Sequence, residues 1–237
     1  MILSNSHQPF LFKHNNQMHL IYCEKNNTLI INQMPIIIWS IFVLNLETNT
    51  KKRIFNIENR IECNPSVRYE NNSIILNYIA SNIIEEKIES IDYFLYRTIL
   101  DNDFNIIREE QQLIKTFSGF ETLTDIYYFS LRGGYEYINI QNKDTNNENI
   151  LNISSITNGL ARIIPIFNSN NFIVTDPYTQ RSFYIQDNFT NDPPQIKNNQ
   201  HQSIYKCSIL DNTISYAVKK QDLENRDIII EEGYYIE

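Results

Sequence analysis

A unit that recurs along the chain constrains its fold more than any other feature. Gln8-Pro9-Phe10-Leu11-Phe12-Lys13 leads into the turn His14-Asn15-Asn16 and then Met18-His19-Leu20-Ile21-Tyr22. Asn64-Pro65-Ser66-Val67-Arg68-Tyr69 leads into Glu70-Asn71-Asn72 and then Ile74-Ile75-Leu76-Asn77-Tyr78. Both read as a polar residue, a proline, a short strand, an Asn-rich turn and an apolar strand ending on Tyr. A third strand follows at 39–44 and at 93–99, and a weaker fourth at 53–56 and at 112–114. Three fainter copies run through 121–140, 161–185 and 202–230, the last opening on His201-Gln202 as an echo of His7-Gln8. Five copies in 237 residues set a period of about 47 residues, the length of a four-stranded propeller blade. One blade cannot bury both of its faces, so neighbours must pack around an axis. The sequence therefore predicts one all-β domain over 1–237, a five-bladed β-propeller of four-stranded antiparallel blades. Segments 1–4 and 234–237 are expected to close the ring by sharing a blade.

Composition agrees and removes several functions. Apolar runs are short, β-branched and aromatic, and Asn or Asp clusters bound them, which is the pattern of strands and not of helices. There are only 5 Gly, so Asn, which tolerates positive φ, must serve the turns. A net charge of -8 without a dense basic patch argues against nucleic acid as a partner. Cys23, Cys63 and Cys207 are far apart and form no CxxC pair, which predicts buried reduced thiols; no metal and no cofactor are expected. The apolar run 35–46 is too short to span a bilayer, and residues 1–9 lack the pattern of a signal peptide. The expected location is the cytoplasm or a virion.

Strand alternation puts the connections between second and third strands on the face where each first strand starts. Those connections are long at 24–35, 81–92 and 219–226, whereas the first-to-second turns on the opposite face are tight. Long loops on a rigid scaffold carry recognition, so a carbohydrate or protein ligand is expected on the long-loop face, lined by His7, Gln8, Asn64, Glu121, Arg162, His201 and Gln202. Glu121 is read either as a general acid or as a solvated carboxylate. Arg162 either binds an anion or pairs with Glu121. His7 and His201 would be neighbours in a closed ring, but no carboxylate stands at ligand spacing beside them. Trp39, the single Trp, opens an apolar strand and is read either as buried between blades, the favoured reading, or as a ring on which a sugar stacks.

The stretch from His7 to Tyr22 resembles the first blade of the five-bladed propeller glycosidases, the arabinanase and invertase-like superfamily. Asn64-Pro65-Ser66-Val67 with the strand and turn at 93–103 is similar to their second blade, so the resemblance covers about the first 110 residues. It implies an axial pocket in which one carboxylate activates water or attacks the sugar and another protonates the leaving oxygen. The first-blade Asp of that family falls on Gln8, and no Asp occurs before Asp92. The Glu-Gly-Pro of the acid is missing; its nearest counterparts are Glu121 and Asn158-Gly159-Leu160. The resemblance thus implies a carbohydrate-recognising propeller without the standard hydrolytic carboxylates, and no catalytic residue is assigned. Two alternatives stand beside it: a structural or interaction propeller, such as a virion or scaffold component, and an active glycoside hydrolase whose acid and base are unaligned.

Overall fold

A computed structural model describes residues 1–31, 33–83, 92–157, 159–186, 193–219 and 226–237, which hold five antiparallel sheets and no helix. The chain opens with β1 (Ile2–Ser4). Blade 1 is β2 (Ser6–His14), β3 (Gln17–Ile31), β4 (Met34–Asn45) and β5 (Lys51–Arg53). Blade 2 is β6 (Arg60–Glu70), β7 (Ser73–Asn82), β8 (Phe94–Leu100) and β9 (Ile106–Lys115). Blade 3 is β10 (Gly119–Glu121), β11 (Asp125–Arg132), β12 (Tyr135–Asn142) and β13 (Glu148–Asn152). Blade 4 is β14 (Arg162–Pro165), β15 (Phe172–Asp176), β16 (Arg181–Ile185) and β17 (Gln195–Asn198). Blade 5 draws three strands from its own stretch of chain, β18 (Tyr205–Leu210), β19 (Thr213–Lys219) and β20 (Arg226–Glu232), and β21 (Tyr234–Ile236) follows.

The missing strand of blade 5 is β1, which pairs antiparallel with β20 in the register Ile2↔Ile229 to Ser4↔Asp227. Sharing of the last blade by residues 1–4 is thus as expected. The expectation for 234–237 is corrected: β21 adds a fifth, outermost strand to blade 4 through Ile196↔Ile236 and does not close the ring. Asn15 with Asn16, and Asn71 with Asn72, hold positive φ at both centres of their hairpin turns, the conformation that a two-residue loop between twisted strands demands. Gly133 and Gly134 do the same in blade 3. Blade 3 also corrects a boundary. Its innermost strand ends at Glu121, where the sequence pattern had it begin. Gly119 is obligatory there, since a Cβ would lie 2.6 Å from the Tyr127 carbonyl oxygen.

The recurrent polar-Pro signature marks a bulge on the innermost strand. Register slips between His7 and Phe10 in blade 1 and between Cys63 and Ser66 in blade 2, with Pro9 and Pro65 inside the slip where no ladder N–H is required. Blade 5 has the same slip between Tyr205 and Ser208, with Cys207 in place of the proline. Tyr205-Lys206 is therefore the blade 5 counterpart of His7-Gln8, and the matching of His201-Gln202 to that pair is corrected by four residues. Without its proline the bulge had no mark in the sequence.

The apolar content packs between blades. Phe10, Leu20, Tyr22, Leu76 and Tyr78 belong to one cluster shared by blades 4, 5, 1 and 2, and Phe120, Phe129, Phe172 and Val174 to another between blades 3 and 4. Burial alone leaves the inner edges of the blades unpaired, and side chains of neighbouring blades complete them. Ser208 Oγ accepts the Leu11 N–H (2.9 Å), Gln8 Oε1 the Asn64 N–H (2.9 Å), Asn77 Oδ1 the Glu121 N–H (3.0 Å) and Ser118 Oγ the Ile163 N–H (2.8 Å). At the fifth junction Ser182 donates its hydroxyl to the Ile204 carbonyl (3.2 Å). Glu62 adds a further tie by accepting the Ile41 N–H (2.9 Å), while its other oxygen has no partner. Burial lifts the Glu62 carboxyl to about 7 against the pull of the Ile41 N–H and of Arg60 and Arg53.

Ser208→Ala and Ser118→Ala each strand a buried N–H and should cost about 1–3 kcal/mol in urea unfolding, with no change in m-value. Glu62 keeps a proton in the fold that the unfolded chain releases near pH 4.5. Its contribution is complete below that pH and is lost as pH rises through about 7. Urea unfolding of the wild type should therefore show on the order of 2 kcal/mol more loss between about pH 5 and pH 8 than Glu62→Gln shows.

Candidate functional site

The bulges set the geometry of the axis. Gln8 (φ 56°), Asn64 (φ 51°) and Lys206 (φ 49°) occupy equivalent left-handed positions on the innermost strands of blades 1, 2 and 5, which are neighbours in the ring. A bulge turns its side chain out of the alternation of the strand, and bulges recur where proteins aim a residue at a ligand. Gln8 holds the Asn64 N–H, and the Asn64 side chain carries the ring on: its Nδ2 donates to the Phe117 carbonyl (3.0 Å). Arg162 of blade 4 donates to that same carbonyl and packs its guanidinium 5.0 Å from the Phe117 ring centre.

These residues wall a cavity of about 510 Å³ at the end of the axis where the inner strands start. His7, Gln8, Trp39, Tyr93, Arg162, Lys206 and Arg226 line it, together with Ile37, Ile61, Cys63, Phe117 and Leu160. The ring of His7 meets Trp39 edge-on at 3.9 Å, and neither of its nitrogens has a hydrogen-bond partner. Burial, then the positive charges of Lys206, Arg226 and Arg162, hold His7 well below the usual imidazole range and keep it neutral. Burial and the two guanidiniums also depress the Lys206 ammonium well below its ordinary value. Lys206 and Arg226 both face the Tyr205 ring, at 5.1 and 5.5 Å. No Asp or Glu of the described residues lines the cavity.

Of the residues the sequence nominated, the structure brings His7, Gln8 and Arg162 to this cavity, with Asn64 bonded to Gln8 behind it. The others lie elsewhere. Glu121 sits at the far end of its strand on a separate cavity of about 480 Å³, between Arg68 and the 168–170 turn. Its side chain is 1% exposed and meets Arg68 (3.1 Å), Arg97 (3.1 Å) and Lys143 (3.2 Å). A carboxylate so enclosed is an ion-pair centre between blades 2 and 3, neither a solvated group nor the partner of Arg162. His201 is exposed on the outer edge of blade 4, stacked on Tyr235 at 3.9 Å with Nδ1 2.6 Å from Glu237 Oε1. Gln202 is exposed beside it, its N–H donated to Asn198 Oδ1. Neither neighbours His7. Among the described residues no three His, Cys, Asp or Glu are grouped to hold a metal ion.

One further correction concerns the roof. Residues 24–31, 34 and 35 are strand and not loop: β3 and β4 continue as paired strands to Ile31↔Met34, and β4 contributes Ile37 and Trp39 to the wall. Most of the connections at 81–92 and 219–226, and Asn158, lie outside the described residues. Lys206, Arg226 and Tyr93 escaped the sequence reading. Aligning the last repeat on its strand pattern, and not on the His-Gln echo, would have put Lys206 beside Gln8. At the opposite end of the axis a hollow of about 710 Å³ is ringed by turn residues such as Asn16, Asn72 and Asn168, and its Lys13 is paired with Asp211 at 2.6 Å.

No family model and no curated protein matches the chain. Solved structures do. An alpha-L-arabinofuranosidase from Lactobacillus brevis superposes with a TM-score of 0.55 over 97% of this chain and 91% of its own, at 10% identity. A GH43_1 enzyme from Xanthomonas citri gives 0.59 over 96% and 87%, at 7% identity. A glycosyl hydrolase from Bacteroides ovatus gives 0.50 over 97% and 84%, at 8% identity. At such identities the likeness is one of fold alone.

Replacing the enclosed carboxylate by an amide, Glu121→Gln, leaves Arg97 and Lys143 without their counter-charge and Arg68 with Glu70 alone. It should cost about 3–5 kcal/mol in thermal or urea unfolding. Ligand binding at the axial cavity should be unchanged in the folded fraction.

Proposed function

We propose that this chain is a carbohydrate-recognising, glycosidase-like propeller that binds its sugar in the axial cavity and does not hydrolyse it. The observation that carries the reading is the lining of that cavity: an amide, three cationic side chains and the rings of Trp39 and Tyr93, with no carboxylate among the described residues. Hydroxyl-rich ligands are held by such donors and acceptors against aromatic faces. Hydrolysis needs two carboxyl groups about 5–10 Å apart across the scissile bond. Gln8 is neutral and cannot act as base or nucleophile, and its oxygen is already committed to the Asn64 N–H. The neighbours named arabinofuranosidase and glycosyl hydrolase share the fold that carries the cavity, which favours a sugar over a peptide or a nucleotide as its occupant.

A glycan array followed by titration calorimetry tests this. The wild type should bind a restricted set of glycans and Trp39→Ala should weaken binding about tenfold or more, since loss of a stacking ring removes on the order of 1–2 kcal/mol. Aryl glycosides of the same sugars should release no aglycone. Steady turnover would overturn the non-hydrolytic part of the reading. Folded protein that binds no glycan would overturn the whole in favour of a structural platform.

A further inference from the structure

We infer that the occupant of the axial cavity is an acidic saccharide, its carboxylate or sulfate held by Lys206, Arg162 and Arg226. The inference rests on the carbohydrate reading above and adds the charge of the ligand. The chain as a whole carries -8, yet three cationic side chains converge at one end of its axis where no acidic side chain of the described residues lines the wall. Charge segregated against the net balance of a molecule focuses a field in the cleft that holds it.

Lys206 is the sharpest part of the observation. Two Lys or Arg residues are buried among those described, Arg60 and Lys206. Arg60 is conventional: Nη1 meets both oxygens of Glu110 at 2.7 and 2.9 Å and Nη2 meets the Tyr78 hydroxyl. Lys206 is 4% exposed, has no carboxylate partner among the described residues, and faces two further cations. A buried charge without a counter-charge is strongly unfavourable. The backbone adds to the cost, because Lys206 takes a left-handed φ that non-glycine residues adopt rarely. An anion entering from solvent supplies the absent counter-charge. Beside it in the wall, His7 offers a neutral ring with both nitrogens unpartnered, and Gln8 an amide nitrogen. These suit the hydroxyls of a sugar that carries the anion. An oxyanion of a saccharide and a free inorganic anion share the chemistry that Lys206 would recognise, so the test separates them.

The experiment is calorimetric titration with matched pairs: trigalacturonate against its fully methyl-esterified form, and sulfated against desulfated heparin tetrasaccharide, with sodium sulfate alone as a third probe. At least one acidic member should bind about tenfold or more tighter than its neutral partner, the scale of a charge-assisted contact. That preference should vanish in Lys206→Met and fall in Arg226→Gln, both checked for folding by their melting temperatures. Met has the length of Lys without its charge, so Lys206→Met should melt no lower than the wild type. Equal binding of acidic and neutral members overturns the inference and leaves the carbohydrate reading standing. Sulfate binding that Lys206→Met abolishes, with no saccharide bound, overturns the carbohydrate reading and the saccharide inference with it. An acidic preference that survives both substitutions overturns the assignment to these residues.

Discussion

The innermost strand of a propeller blade has a sheet neighbour on one side only, and the backbone groups of its other edge face the axis and the adjoining blade. Buried amides left without partners cost more than any single packing contact returns. This chain answers the demand with a side chain at each of its five junctions. Ser208, Gln8, Asn77 and Ser118 each accept an N–H from the next blade, and Ser182 donates to a carbonyl. Each of these five residues belongs to the blade before the segment it serves, so the five ties run in one direction around the ring, and Glu62 runs against them. The apolar clusters between blades supply most of the driving force for association. The ties fix the angle at which the blades meet, because a hydrogen bond has direction and hydrophobic contact has none.

The same edges shape the candidate site. A bulge near the start of an inner strand frees one residue from the ladder, and Gln8 illustrates both outcomes of that freedom: it secures the next blade and lines the cavity. Lys206 occupies the equivalent place in blade 5 and makes no such tie, which leaves its side chain to the cavity. The charges of the molecule thus divide by role. Around Glu121 three cations surround one carboxylate and hold blades 2 and 3 together. Around Lys206 cations meet without an acid of the described residues, an arrangement that does nothing for the resting fold.

How much of this was legible in the sequence depended on whether a feature had a residue that marks it. Asn pairs marked the hairpin turns, and Pro9 and Pro65 marked two of the bulges, so blade number, strand order in blades 1 and 2, and the face carrying Gln8 could be read directly. Blade 3 lost its boundary because Gly119-Phe120 is too short a strand to show alternation. Blade 5 lost its register because Cys207 stands where the other bulges have proline. Lys206 was consequently invisible as a site residue, and His201 was assigned a neighbour it does not have. Glu121 was misread for a different reason: a carboxylate on a strand looks the same in sequence whether water or three distant cations surround it. Only the fold brings Arg68, Arg97 and Lys143 to it.

The union of β1 with β20 has a bearing on how the molecule comes into being. Residue 2 finds its partner at residue 229, so the outer strand of blade 5 is synthesised before the other strands of the ring and must wait for β20. Until then a nascent chain of four sheets presents an uncovered face on either side of a gap, with Phe10 and Leu11 on one bank awaiting Ser208 on the other. Contacts of such long range form slowly and expose apolar strands while they form. The ring is best regarded as a clasp that fastens once, when its fifth sheet forms, and whose fastening converts an open and adhesive crescent into a closed cylinder with a mouth.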